Sequence, residues 1–387
     1  MNRPALAPSS PEGLDSRLPS SADGEELRPQ HFRRVRGTRP AESPLHRFLA
    51  GSAGLFRGDD YPQRLAEAAA GTQLPVTTGR RIAVVGSRGG AGKTTTAALL
   101  ARIYAAMRAD AVAAVDNTPE AGTLGHRLGV PDAPSLDIVA DRLGADTPAS
   151  LGHLAALLSV AGPANLLVTG RRRPHPWMAA GPRDAASDAA GSGMSTPAWT
   201  PAGPAAGAYG TDGAYGCGPA GGDAATLLSR AVSRYCPVTI FDCGSGLSDP
   251  GARWALGNAH LALFVTPASV AGGEDAVDYA AGWRLDPALA AVPLLVLVVQ
   301  SAGGSTPGAS RAAAGLRRTG VDALHLGHDR HLAAGVEIDP ALLSRRTRLE
   351  AASLASRVLS AAIGGPAARR PRALRSAHPG AAPEDCT

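Results

Sequence analysis

One stretch of the chain has residue types whose spacing can do chemistry. A short apolar run, Arg81 to Val85, ends in Gly86 and continues as Ser87-Arg88-Gly89-Gly90-Ala91-Gly92-Lys93-Thr94-Thr95, before an alanine- and leucine-rich segment. Read as strand, glycine loop and helix, this order makes an anion site. The first N–H groups of a helix have no partner within it, and the helix dipole adds partial positive charge at that end. Glycines let the backbone wrap closely around an oxyanion. A lysine opening the helix neutralises phosphate charge, and the hydroxyl that follows is a ligand for Mg²⁺. Gly89, Gly90, Ala91, Gly92, Lys93, Thr94 and Thr95 are therefore expected at the phosphates of a nucleotide, with Thr94 on the metal.

Residue choice reinforces this reading. Lysine and arginine together number 38, and Lys93 is the one lysine, which leaves 37 arginines. A compact ammonium is not interchangeable with a planar guanidinium. The retained lysine marks a position where geometry matters as well as charge.

The strict phosphate-loop pattern G-x-x-x-x-G-K-[ST] is not met, because Ser87 stands where its first glycine belongs. The segment instead resembles the deviant Walker A loop of the MinD/ParA superfamily, K-G-G-x-G-K-[ST], with Arg88 at the first lysine. Three further segments are similar to one branch, the MinD-like ATPases associated with type VII (ESX) secretion systems. They are Arg108 to Gly122, Asp242 to Pro250 and Asp329 to Ile338. The resemblance covers about Arg81 to Ile363, apart from an insertion. It implies an α/β P-loop fold, a mostly parallel sheet with helices on both faces, and ATP with Mg²⁺ as ligands. It also implies a homodimer around ATP, with Arg88 reaching the partner's phosphates. Lys93, Asp116 and Arg88 would form the catalytic set. Asp242, at the end of an apolar run, would hold Mg²⁺ with Thr94. Gly244 would meet the terminal phosphate through its N–H, and Gln300 stands where an adenine-contacting asparagine is expected. One departure bears on hydrolysis. The family shows Asp-x-Asp where this chain has Asp116-Asn117-Thr118, and a threonine cannot accept a proton as a carboxylate does.

The elements that must position these residues follow from apolar runs. Arg81–Val85, Ala111–Asp116, Asn165–Val168, Val238–Asp242, Leu261–Val265 and Val292–Val299 are expected strands. Helices are expected over Thr94–Ala109, Glu274–Gly282, Ser310–Arg318 and Pro340 to about Ile363. Such alternation argues for a parallel sheet covered on both sides. Residues 1–45 read as a disordered tail, 46–80 as a short helical lead-in, and 81–363 as the nucleotide-binding domain. A Gly/Ala/Pro-rich insertion at about 171–222 and an Arg/Pro-rich tail at 364–387 also read as disordered.

Composition narrows the remaining choices. Among 387 residues 44% are apolar but only 4% aromatic, and the formal net charge is +5. Arginines cluster at 33, 34, 36 and 39 and again at 369, 370, 372 and 375, as solvated tails or as contacts for nucleic acid or anionic lipid. Cys217, Cys236, Cys243 and Cys386 lack metal-ligand spacing, and His325, His328 and His331 read as polar loop residues. No apolar run is long enough to span a bilayer. The expected location is the cytoplasm, peripheral to the inner membrane through partners. Three functions remain: a nucleotide switch partnering a secretion-system component, a partition or septum-site ATPase, and a non-hydrolysing ATP-binding scaffold. The composition of the insertion generates a prediction: deleting Ser187 to Gly218 leaves melting temperature and nucleotide binding nearly unchanged. A large drop in melting temperature would place the insertion in the core.

Overall fold

The computed structural model describes residues 60–118, 122–162, 165–170, 221–246, 249–303 and 308–364. The expected tail at 1–45, nearly all of the 171–222 insertion and the tail beyond Gly364 lie outside the described residues.

Helix α1 (Tyr61–Thr72) precedes β1 (Arg80–Val85), α2 (Lys93–Met107) and β2 (Val112–Asp116). Three helices follow: α3 (Leu124–Arg127), α4 (Leu136–Ala145) and α5 (Leu151–Leu157). Next come β3 (Ser159–Ala161), β4 (Leu166–Val168), α6 (Gly221–Val232) and β5 (Val238–Asp242). The chain then alternates through α7 (Pro250–Asn258), β6 (Leu261–Pro267), α8 (Val270–Leu285) and β7 (Leu294–Val299). It ends with α9 (Ala309–Arg318), β8 (Ala323–Leu326), α10 (Arg330–Ala333) and α11 (Arg345–Gly364).

The eight strands form one sheet in the order β3-β4-β2-β5-β1-β6-β7-β8. Every pairing is parallel except β3 with β4. This is the expected α/β architecture. Its central strands are continuous apolar runs because both of their faces are covered. Side chains alternate between those faces. Ala83, Val85, Phe241 and Phe264 join one core with α4, α6, α7, α8 and α9. Ile82, Val84, Ile240 and Leu263 join the other with α2, α3, α10 and α11. Each fully buried Val, Leu or Phe side chain contributes roughly 1.5–3 kcal/mol. The two cores therefore fix the sheet as a rigid platform. Its carboxyl edge is where α/β sheets hold ligands.

Three expectations about the elements need correction. Strands β3 and β8 lie at the sheet edges and were not anticipated: β3 has three residues, and His325 interrupts β8. The final helix does not run unbroken from Pro340. Asp339 caps a separate 3₁₀ turn, Pro340–Leu342, and the Ser344 hydroxyl accepts from Thr347 N (3.1 Å), restarting the chain as α11. His331 is buried rather than a loop residue, and the Asp339 N–H donates to its Nε2 (2.9 Å).

Candidate phosphate-binding site

A cleft of about 570 Å³ opens at the carboxyl ends of β1, β5 and β7. That is ample for a cofactor-sized ligand. Its floor is the loop after β1. A Cβ at Gly86 would collide with the carbonyl of Val265 on β6, so only glycine lets the chain leave the sheet here. Gly92 then adopts φ +96°, in the left-handed region, with the side chain of Val299 against it. Gly92 precedes α2 without any side-chain cap, which leaves the first N–H groups of α2 turned to the cleft. Gly90, Gly92, Lys93, Thr94 and Thr95 line it, while Ala91 is packed into the core beneath.

Lys93 is only 8% exposed. Its Nζ donates to the carbonyl of Arg88 (3.0 Å) and to the hydroxyl of Ser245 (2.9 Å). Burial lowers its pKa, while Asp242 and Cys243 nearby favour the charged form. Both hydrogen-bond acceptors are neutral, and among the described residues no carboxylate forms an ion pair with it. The segment carrying Ser245 is tied to the loop by Gly246 N, which donates to Gly86 O (3.0 Å). Gly244, on that segment, also faces the cleft.

Two carboxylates stand side by side beneath the loop, because Asp116 on β2 and Asp242 on β5 share one register position. Both are fully buried. Their surroundings differ. Asp116 accepts from Thr118 N (3.2 Å), from the Thr118 hydroxyl and from Leu124 N (3.2 Å). A Cβ at Gly122 would strike the Asp116 carboxylate, so that turn also requires glycine. Neither oxygen of Asp242 has a well-formed hydrogen bond, although the Thr94 hydroxyl is close enough to favour its charged form. Burial, and then the charge of Asp116, push its carboxyl far above the ordinary range. Thr94, Lys93 and Arg127 pull the other way. An unpaired buried carboxylate is costly, and a divalent cation is the kind of group that removes the cost. Mg²⁺ needs only one or two protein oxygens besides phosphates and water. Asp242 with Thr94 fits it. No cluster of three metal-ligating side chains exists among the described residues.

The remaining expected residues fall in different places. Gln300, the residue after β7, is on the cleft wall, and its side-chain oxygen accepts from Ala309 N (3.4 Å). Gly89 is in the exposed part of the loop. Arg88 turns away from the cleft, binding Asp275 of α8 through Nε (2.6 Å) and Nη2 (3.1 Å), and Asp275 also accepts from the Ser87 hydroxyl (2.6 Å). Sequence reasoning did not single out Asp275, Ser245 or Arg127, which also lines the cleft. Ser245 could have been found, since it lies one residue beyond Gly244.

No family model matches the chain. Two curated relatives, the ESX-1 secretion-associated protein EspI from the CDC 1551 and H37Rv strains of Mycobacterium tuberculosis, are 30% identical over 196 residues. That match spans 51% of this chain but 23% of theirs. Similar solved structures include a ParA family ATPase from Chlorobium tepidum, 14% identical with TM-score 0.49, covering 71% of this chain and 97% of that one. The cell division ATPase MinD of Pyrococcus furiosus is 18% identical with TM-score 0.45, covering 71% and 97%. The septum site-determining protein MinD of Pyrococcus horikoshii, complexed with Mg-ADP, is 16% identical with TM-score 0.45, covering 70% and 94%. The comparisons return the kinds of protein that the loop and the later segments resemble.

The state of Asp242 gives a pH prediction. Its folded pKa is raised, so its contribution to stability is full below the ordinary carboxylate pKa and is lost as pH rises through the raised value. Without nucleotide or divalent cation, the wild type should therefore lose stability relative to Asp242→Asn as pH rises from about 4 to about 8. Thermal melts of both proteins across that range check this, and parallel profiles would contradict it.

Proposed function

We propose that the chain is an ATP-binding nucleotide switch of the MinD/ParA type, serving a type VII (ESX) secretion system as an accessory or regulatory ATPase. One observation carries the reading: a dry lysine at the uncapped N-terminus of α2, framed by obligatory glycines, beside a buried carboxyl without a well-formed hydrogen bond. Positive groups and an unsatisfied acceptor in one cleft suit a phosphate chain carrying a metal ion. The likeness to EspI over half the chain supports the secretion role.

In this reading Lys93 and the N–H groups of Gly90 to Thr95 hold the phosphates, and Gly244 N–H meets the terminal one. Thr94 and Asp242 hold Mg²⁺, which when bound neutralises charge developing on the phosphates. Gln300, on the cleft wall, would hydrogen-bond the base. ATP draws two copies together, and Arg88 exchanges Asp275 for the partner's phosphates. The protein works in the cytoplasm and reaches the membrane through partners. Among the described residues no helix is long and apolar enough to cross a membrane.

A second reading, a binder that does not turn ATP over, is favoured by the Asp116 turn. Thr118 occupies a position where the resemblance leads one to expect a carboxylate, and it spends its hydroxyl on Asp116. Asp116 is in turn occupied by two backbone N–H groups. Water positioning by general-base groups is typically worth on the order of 10² to 10⁴ in rate.

Two measurements separate these possibilities. Lys93→Ala should abolish binding of ATP·Mg²⁺ in isothermal titration while leaving the melting temperature nearly unchanged, and equal affinity in both proteins would remove the phosphate-site reading. In single-turnover hydrolysis the wild type should be slow and Thr118→Asp faster by on the order of 10²-fold. Brisk wild-type turnover would refute the reading of Thr118.

A further inference from the structure

Arg127 closes α3, and its side chain lines the same cleft as Lys93 and Thr94. Its Nε and Nη1 are shut off from solvent, and neither has a hydrogen-bond partner. Among the described residues no carboxylate comes within ion-pair distance of it. Two other arginines with largely buried side chains behave differently. Arg102 pairs with Glu337 (3.0 Å), and Arg108 pairs with Asp110 (2.7 Å). Arg127 meets only the more distant charge of Asp242, while burial lowers its pKa.

The seat of Arg127 is firm. Its N–H donates to Thr123 O (3.2 Å), and its carbonyl accepts from Ile338 N (2.9 Å). The carbonyl of the next residue, Leu128, accepts from Arg102 Nη2 (3.0 Å). Gly335, at φ +74°, lies beside the guanidinium, where an added Cβ would sit 3.7 Å from Nη2. A rigidly held, desolvated guanidinium without an anion is costly. Its planar fork matches phosphate oxygens and binds them in pairs. Asp242 is poorly suited to satisfy it, being too far for an ion pair and placed toward Thr94.

We propose that Arg127 is a phosphate-binding residue supplied from within the same chain, gripping the phosphate chain of the bound nucleotide together with Lys93. This rests on reading the cleft as a nucleotide site. It also gives the switch a mechanical link. Leu124, the first residue of α3, donates its N–H to Asp116, so an anion held at the far end of that one-turn helix stiffens the Asp116–Thr118 turn.

Arg127→Met and Arg127→Lys test the assignment, with Lys93→Ala as reference. Melting is followed without ligand, and affinities for ATP·Mg²⁺ and for adenosine are measured by titration calorimetry. Arg127→Met should melt at or above the wild-type temperature, because an unpaired charge has been removed. It should bind ATP·Mg²⁺ about ten- to a hundredfold more weakly, with Arg127→Lys between the two and adenosine affinity unchanged. Three results overturn the proposal while leaving the nucleotide site in place. They are unaltered ATP affinity in Arg127→Met, an equal loss toward adenosine, or an unaltered affinity in Arg127→Lys should Arg127→Met fail to fold. Absence of ATP binding by the wild type itself overturns both the site and the role of Arg127.

Discussion

The close approach of the loop after β1 to β6 is the constraint from which the rest of the cleft follows. Gly86 has no room for a side chain against the Val265 carbonyl, and Gly92 must take a left-handed conformation against Val299. Those two conditions start α2 without a cap and aim its free N–H groups outward. They also force Lys93 down over the sheet edge, where it is nearly dry. Since β1 is the strand between β5 and β6, everything placed against this loop is fixed by the parallel register of the sheet.

Charge in the cleft is balanced over a region and not pair by pair. Lys93, Arg127 and the α2 N-terminus are positive, and beneath them lie the carboxyls of Asp116 and Asp242, the latter held toward its neutral form by burial and by Asp116. Contact ion pairs among these side chains are nonetheless absent in the described residues, and Lys93 settles on a carbonyl and a hydroxyl. A structural network would pair its charges directly, as Arg108 does with Asp110. Desolvation is the first cause of the shift at Lys93, Arg127 and Asp242 alike. Two desolvated cations, and a buried carboxyl that only a further cation would hold ionised, match a ligand that is itself both anionic and metal-bound. Asp116 is the exception, satisfied by the turn it organises.

The phosphate loop was legible in the sequence because its signal is local: glycine spacing, a lone lysine and an apolar run before it. The central strands were legible for a related reason, since burial on both faces makes them continuous apolar runs. What escaped depends on tertiary contacts. Strand β8 contains His325, and β3 has three residues whose pairing with β4 decides their state. The break before α11 depends on Ser344, whose N–H donates to Asp329 (3.1 Å) and whose hydroxyl receives Thr347 N. Arg127 is one of 37 arginines, set apart by a place on the cleft wall and two buried nitrogens without a partner, neither of which the sequence displays. Arg88, in the loop after β1, and Asp275, on α8, are 187 residues apart, beyond the reach of any local pattern.

Amide hydrogen exchange of the wild-type protein, with and without saturating ATP·Mg²⁺, tests the central claim most directly. If the loop N–H groups are the phosphate donors, exchange slows in Gly89–Thr95 and in Gly244–Gly246, and the edge segments of β3 and β8 do not change. Bound nucleotide with unprotected amides in Gly89–Thr95 would contradict the account, because the ligand would then be held somewhere other than at the N-terminus of α2.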